Sequence, residues 1–588
     1  MKKTAKICIL MCSCLLSIIG CILSSEANPR YILASIMSGS QGYQGNMIFS
    51  KDSGFYDKEF ELKIYAPTDE IYYTLDGSDP DRNSIKYEGS ILIYDATENP
   101  NVYSSRTDVT AAFLEEEIEK YGAGKGEYQI PEDSVDKCVV LKAVYYDKSG
   151  NCSDIEERIY FVGFDEKEGY EGMHIVSIVS DPENLFGYEK GIYVLGETSD
   201  TFLKDGIAED YWARQYWAFW DANYRNKGIE WERESHIQIF DEDHQLVASQ
   251  NIGIRIQGGG SRGFYPKSLN LYARDEYGSN KIYYDFWGTG YYPKRMTLTM
   301  GGDDQYSKAE DRLVSELVKE CNIVTMNYVP CVLFLNGEYW GVYHMTEKYD
   351  EHYIEHYYGV DKGELIDDII MIKNGSVETG VEADYYVSYS EMMEFVTTAD
   401  MEVEENYQKA CELLDIESFI DYFAVEGYIA RCGDWPSSNF ALWRSRNVSE
   451  KPYEDGKWRW ILFDVNSSSM EEAMLPMDAI ESMRSNSEMF DNLCNNESFR
   501  KSFAARLLEL SDTVFDTERV TEKIEALTEE LAGPMEKNFQ RFFGTSNERF
   551  YERMSELQTF FENRRPYILD SIEKNFGEEY LLSPVEEN

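Results

Sequence analysis

At 588 residues the chain exceeds the roughly 250–300 residues that one hydrophobic core organises, so it holds more than one domain. Apolar residues make up 43% and aromatics 14%, with 45 tyrosines, which excludes a disordered chain. Acidic residues number 108 against 56 basic ones; the formal charge of −52 argues against nucleic acid and favours basic protein partners, and it equally serves plain solubility.

Met1-Lys2-Lys3-Thr4-Ala5-Lys6 followed by an apolar run from Ile7 to Leu23 is the pattern of an export signal over residues 1–25. Ile18-Ile19-Gly20-Cys21 resembles a bacterial lipobox, which would place a lipid on Cys21. A plain cleaved signal or a single membrane anchor are the alternatives, since the run falls only slightly short of the ~20 residues of a span. Any membrane contact is expected through this anchor alone. Residues 26–45 read as a polar linker. Of the 11 cysteines, four lie in the signal; the other seven show no CxxC pair and no zinc-like spacing. Seven is odd, so they cannot all pair internally, and Cys138 with Cys152, which flank an apparent hairpin, form the candidate bridge.

Residues 46–163 read as β structure. Phe60 to Tyr65 alternates apolar and polar residues, Val139 to Tyr146 does so more loosely, and turn clusters separate such runs. Ile71 to Pro80 is a strand entering a turn. Its Tyr73-Thr74-Leu75-Asp76-Gly77-Ser78-Asp79-Pro80, with Tyr87-Glu88-Gly89 behind it, is similar to the chitobiase/β-hexosaminidase C-terminal-type module. That resemblance implies a small immunoglobulin-like β-sandwich and opens the prospect of glycan or cell-wall contact. Asp76, Asp79 and Asp81 lack the spacing of an EF-hand calcium loop and read as turn residues.

From His174 to about residue 576 a second, α+β segment follows. Gly191 to Val194, Ile237 to Phe240, Ile252 to Gln257 and Ser268 to Tyr272 read as strands, and Ser307 to Cys321 has helical spacing. Tyr328 to Leu335 and Tyr339 to Met345 flank Asn336-Gly337, a strong hairpin signal. Beyond about residue 385 the pattern is mostly helical. Arg500 to Phe515 and Arg549 to Phe576 read as amphipathic helices, the second interrupted near Pro566, and 577–588 as an acidic tail.

Three runs carry chemistry. In Arg255 to Ser268, Gly258, Gly260 and Gly263 fit G-x-G-x-x-G, and glycines let backbone N–H groups approach phosphate oxygens. Arg255, Arg262 and Lys267 bring scarce cations to that loop; Pro266 and the lack of a βαβ unit disfavour a dinucleotide fold. Asp434 and Asn439 have the Asp-x-x-x-x-Asn spacing of a kinase catalytic loop, in which the Asp accepts the hydroxyl proton and the Asn holds metal; a capping loop is the plain alternative. Trp458 to Phe463 is an apolar strand that ends in Asp464, a position suited to a Mg²⁺ ligand and equally to a turn.

Gly259 to Ser268, Asn336 to Glu347, Asp434 to Asn439 and Trp458 to Asp464, in that order, resemble the motifs of the CotH family, spore-coat-protein-H-type kinases. The resemblance spans roughly residues 174 to 575. It implies a divergent protein-kinase-like domain with a helical C-terminal half. Such a domain would use ATP with Mg²⁺ or Mn²⁺ to phosphorylate Ser or Thr of coat or surface proteins. The protein itself would then be exported, to the cell surface or the spore coat. Carried over, Asp434 is the catalytic base and Asn439 and Asp464 hold metal. Arg255, Gly260, Ser261, Arg262 and Lys267 face the phosphates, and Glu347 lies near the nucleotide. Glu310, Asp311, Arg312 and Glu316 are alternative helix partners for Lys267. The acceptor is expected to be basic and Ser-rich.

Two departures stand out. The lysine follows the glycine loop after only three residues, and no Ala-Pro-Glu follows Asp464. Both leave open a non-catalytic scaffold or binding protein on the same fold. A third reading is zinc peptidase: His352-Tyr353-Ile354-Glu355-His356 fits H-x-x-E-H, two histidines one helical turn apart.

Overall fold

A computed structural model describes residues 47–205, 211–363, 368–431, 435–466 and 469–581. The expected export signal, Cys21, the whole linker and Asp434 lie outside these ranges. The chain divides into two compact units. One comprises Met1–Gly253, Val332–Gly341 and Arg541–Gly544; the other comprises Ile254–Cys331, Val342–Gln540 and Thr545–Asn588. Among the described residues no helix is long and apolar enough to cross a membrane.

The first unit opens with β1 (Ile48–Phe49), β2 (Gly54–Tyr56), β3 (Phe60–Leu62), β4 (Ile64–Tyr65), β5 (Ile71–Thr74), β6 (Ile85–Lys86), β7 (Ile91–Ile93), β8 (Val139–Tyr145) and β9 (Glu156–Val162). A five-stranded sheet runs β2-β9-β8-β5-β6, and the pairs β3-β7 and β1-β4 complete the layer opposite. Phe49, Leu62, Ile71, Ile93, Leu141 and Tyr160 fill the shared core. The strand expected over Phe60 to Tyr65 breaks at Lys63, because its halves pair with different strands: Leu62 with Ile91, Ile64 with Phe49. Asp76 accepts from the backbone N–H and hydroxyl of Ser78 and Asp81 from the backbone and side chain of Asn83, so these two serve turns as expected, while Asp79 pairs with Lys142 on β8.

Cys138 and Cys152 are both free thiols, against the expected bridge. Cys138 precedes β8 and Cys152 follows its far end, so a seven-residue strand holds them about 20 Å apart.

The same unit contains β10 (His174–Val179) and β11 (Arg233–Phe240), paired antiparallel from Ile175↔Phe240 to Val179↔His236. Gly191 to Val194 is a turn and not the expected strand. The Ile192 and Tyr193 N–H groups donate to the Asn184 and Leu185 carbonyls, so burial of a short apolar run is served here without a ladder. The Asn336-Gly337 turn belongs to this unit, with φ +47° and +86°. Its Asn336 side chain exchanges two hydrogen bonds with the Ser180 backbone, and the Glu338 carboxylate accepts from the N–H groups of Val102, Tyr103 and Ser104.

Three strands contribute residues to both units: β12 (Leu246–Ile256), β15 (Tyr328–Leu335) and β16 (Glu338–Glu347). Within the second unit, β13 (Leu269–Tyr272) pairs with β14 (Arg295–Thr299), and β14 pairs with the end of β16 in the register Met296↔Glu347. A four-stranded sheet β18-β17-β19-β20 is built from β17 (Ile369–Lys373), β18 (Ser376–Thr379), β19 (Ala441–Ser445) and β20 (Arg459–Ile461).

The helices that matter here are α1 (Glu310–Leu317), α2 (Glu351–Tyr358), α3 (Ser390–Thr398), α4 (Ile416–Tyr428), α5 (Glu497–Asp512), α6 (Thr517–Phe543) and α7 (Glu548–Phe576). Every residue of α4 from Ser418 to Tyr428 is buried, the mark of a central helix. It packs on α5 and β20. Helix α7 runs unbroken through Pro566, against the expected interruption. Proline forfeits only the bond to the Glu562 carbonyl, which lies on the exposed face where water can take it.

Candidate active site

Every candidate residue that the structure describes lies in the second unit. The glycine loop follows β12. Gly258 has φ +116°, and a Cβ there would stand 2.3 Å from Ser261 Oγ, so glycine is required. Gly260 to Gly263, with Ser261 and Arg262 between them, form a short 3₁₀ turn. Arg262 Nε donates to the Gly258 carbonyl at 2.7 Å. Lys267 is fully buried, and its ammonium donates to the carbonyls of Arg262 (2.8 Å) and Phe264 (2.7 Å). The lysine therefore braces its own loop. Arg255, on β12, lies over the Tyr272 ring at 4.2 Å.

Asp464 follows β20 with φ +57°, a left-handed conformation uncommon outside glycine, in which asparagine and aspartate are the most frequent exceptions. Three groups brace it. The buried Arg431 donates through Nη1 to the Asp464 carbonyl. Asp311 on α1 accepts from the Val465 N–H at 2.7 Å and from Asn466 Nδ2 at 3.3 Å. Asn466 Nδ2 also donates to the Gly301 carbonyl at 2.7 Å. Burial, with repulsion from Asp464 second, pushes the Asp311 carboxyl up to about 7. Asn466 is 8% exposed, and its Oδ1 is sealed from solvent without a hydrogen-bond partner. Lys373 on β17 lies 4.3 Å over the Phe463 ring; burial lowers its pKa, and Asp464 is among the acids that oppose this.

The segment Met300-Gly301-Gly302 ties the loop to this turn. Met300 N–H donates to Ser268 Oγ, next to Lys267, and the following carbonyl, of Gly301, takes the bond from Asn466. Asp304 then accepts from Ser307, Ala309 and Glu310 N–H groups, which fixes where α1 starts.

Of the possible α1 partners for Lys267, each has another role. Glu310 pairs with Arg553, Asp311 holds the Asp464 turn, and Arg312 pairs with Glu316 and Glu530. Glu347 is buried. Its carboxylate accepts from the backbone and side chain of Asn327 and from the Tyr357 hydroxyl, and burial raises its pKa. Asn439 lies in the 435–440 loop with φ +54°. The two flanks of that loop are fixed by Trp435 Nε1 donating to the Tyr422 hydroxyl and by Phe440 N–H donating to Asn374.

His352 and His356 lie on α2, but their surroundings are structural. His356 Nε2 is 3.1 Å from the Thr289 carbonyl, Glu355 pairs with Lys362, and burial pushes His352 down to about 4. Among the described residues no group of three or more His, Cys, Asp or Glu side chains is placed to hold a metal ion. The oxygens at the Asp464 turn are the Asp464 carboxylate, the Asn466 amide oxygen and the Asp311 carboxylate, and the last is already engaged by the Val465 and Asn466 N–H groups, which leaves the first two as the donor pair. An all-oxygen pair of this kind suits a hard cation such as Mg²⁺, which usually takes one or two carboxylates and completes its shell with water and phosphate.

Sequence reasoning passed over Asn466, Arg431 and Gly301 and gave Asp311 another role. The readable signals were the Gly301-Gly302-Asp303-Asp304 run and the second polar residue two places after Asp464.

The second unit thus ties a cationic glycine loop to a braced strand-end turn and carries a helical C-terminal half. The model of the CotH kinase protein family matches residues 254–568, more than half of the chain, and the chain belongs to that family. The match starts where the second unit starts, at Ile254. A model described as Fn3 associated matches residues 60–160, which places the expected chitobiase-type module at the coarser level of an Fn3-associated domain. No curated protein matches the sequence.

Proposed function

We propose that the chain is an exported, Mg²⁺-dependent protein kinase that moves the γ-phosphate of ATP to Ser or Thr of coat or surface proteins. The observation that carries this reading is the Asp464 turn. A left-handed Asp is held by Arg431 and Asp311 beside an amide oxygen with no protein partner. Backbone strain of this kind persists where surrounding bonds over-determine it, and it clusters at functional sites. Asp464, Asn439 and Asn466 would hold the cation, which neutralises charge on the phosphates when bound. Gly260, Ser261, Arg262, Arg255 and Lys267 form or support the phosphate loop, and Glu347 stiffens the strand end near the nucleotide. Asp434 takes the proton of the acceptor hydroxyl as its oxygen bonds to the γ-phosphorus, and the bond to the bridging oxygen breaks to release ADP.

The test is thermal shift with ATP and Mg²⁺. Stabilisation is expected in the native chain and is lost in Asp464→Ala and in Asn466→Ala. A shift that needs no divalent ion, or that survives both substitutions, contradicts the assignment.

A second reading, a non-catalytic binding protein on this fold, is favoured by one observation: the Lys267 ammonium is buried on carbonyls of its own loop. It predicts no nucleotide-induced shift at all.

A further inference from the structure

The loop that carries Asn439 has a second feature. Pro436 and Phe440 form one wall of a cavity of about 210 Å³. The other walls are Tyr422 of α4, Met393 of α3, Leu442 of β19 and Trp460 of β20. The cavity is below the size of ordinary small-molecule sites, which begin at about 300 Å³, but it is on the scale of one large apolar side chain. Its mouth is polar and acidic: Asn486, Ser487 and Glu488 lie there, with Asn486 and Glu488 exposed.

A π-helical turn, Tyr385–Tyr389, leads into α3 and places Tyr389 in the cavity wall. Such turns recur at functional sites. The same turn leaves Tyr386 and Val387 64% and 63% exposed. Tyr389, Met393 and Thr397 follow one another at helical spacing along the cavity.

We propose that this recess docks a phenylalanine or leucine side chain of a basic protein substrate, a few residues from the hydroxyl that receives phosphate. This inference rests on the kinase reading. Phe440 adjoins Asn439, so a peptide strand seated at the pocket passes the proposed metal-binding loop at about 3.3 Å per residue. The aromatic walls select the apolar anchor. Glu488 and the −52 charge select arginine or lysine beside it.

The experiment uses the full chain and synthetic peptides, each with one serine among arginines. One phenylalanine, or alanine in the control, is walked through successive positions on either side of the serine. Binding is read by fluorescence anisotropy and transfer by phosphate incorporation. In at least one register the phenylalanine peptide is expected to bind about tenfold more tightly than its alanine control. Thr397→Trp fills the recess from α3 and is expected to remove that preference. Glu488→Arg, on the exposed rim, is expected to weaken every arginine peptide and keeps the test valid if Thr397→Trp does not fold. Equal binding of both peptides in every register overturns the pocket, as does a preference that survives Thr397→Trp. Transfer without any phenylalanine preference sinks the pocket and leaves the kinase reading standing. Preference without transfer does the reverse.

Discussion

Asp464 and its neighbours show how much one turn depends on groups far away in sequence. Asn466 reaches Gly301 across 165 positions, and Val465 reaches Asp311 across 154. The Asp itself was legible as the end of an apolar strand. Its braces were not, because no local period links an amide to a carbonyl that distant. Groups that orient a metal ligand typically carry 10–100-fold of its metal affinity. Asp311→Ala is therefore expected to weaken Mg²⁺-dependent ATP binding by about that factor while the fold persists, as calorimetric titration would show; unchanged affinity would remove Asp311 from the site. Glu157, on β9, offers an independent pH test away from the site. Burial pushes its carboxyl up to about 8, and Oε1 is sealed without a hydrogen-bond partner. A raised carboxyl pKa means that its contribution is fully present below the unfolded value near 4.5 and is lost as pH rises through about 8. Glu157→Gln should thus gain about 1–3 kcal/mol over the native chain at pH 8 relative to pH 5, measured by denaturant melts. A pH-independent difference would contradict this.

Elements followed sequence pattern where one face was apolar and diverged where tertiary pairing decided. The Asn336-Gly337 hairpin and the helix behind Phe419 were legible because turn chemistry and apolar content act locally. Phe60 to Tyr65 split because its halves joined different strands, which alternation cannot reveal. Helix α1 is shorter than Ser307 to Cys321 because Asp304 takes up Ser307 and Ala309 as a cap. Helix α7 survives Pro566, two residues beyond a strong anchor. Arg564 is fully buried and donates to the carbonyls of Gly427, Tyr428, Leu475 and Met477. It closes the C-terminus of α4, where orphan carbonyls and the helix dipole favour a cation. Burial lowers its pKa to about 10, still well above neutrality. Arg564→Ala leaves these carbonyls buried and unpaired, and about 3–5 kcal/mol of stability is expected to go with it. A melting temperature within experimental error of the native chain would contradict the clamp.

Over the whole molecule the charge of −52 is the most visible property of the sequence, and its consequence is kinetic. Attraction of a lysine-rich acceptor is screened beyond about 10 Å at 0.1 M salt. The kcat/KM for such an acceptor should fall about tenfold between low salt and about 0.5 M, and that for an acidic acceptor should not. An Fn3-associated domain precedes the CotH domain, and the proposed export would bring the chain to such partners outside the cytoplasm. The central claim, that this is a working kinase, is tested most directly by γ-phosphate transfer from ATP with Mg²⁺ or Mn²⁺. The acceptor is a basic, Ser-rich protein, and Asp434→Ala is assayed beside the native chain. Transfer that drops by at least ~100-fold in the variant is the expected result. Transfer that is unchanged in Asp434→Ala, or no transfer and no ATP-induced thermal shift in the native chain, would contradict it.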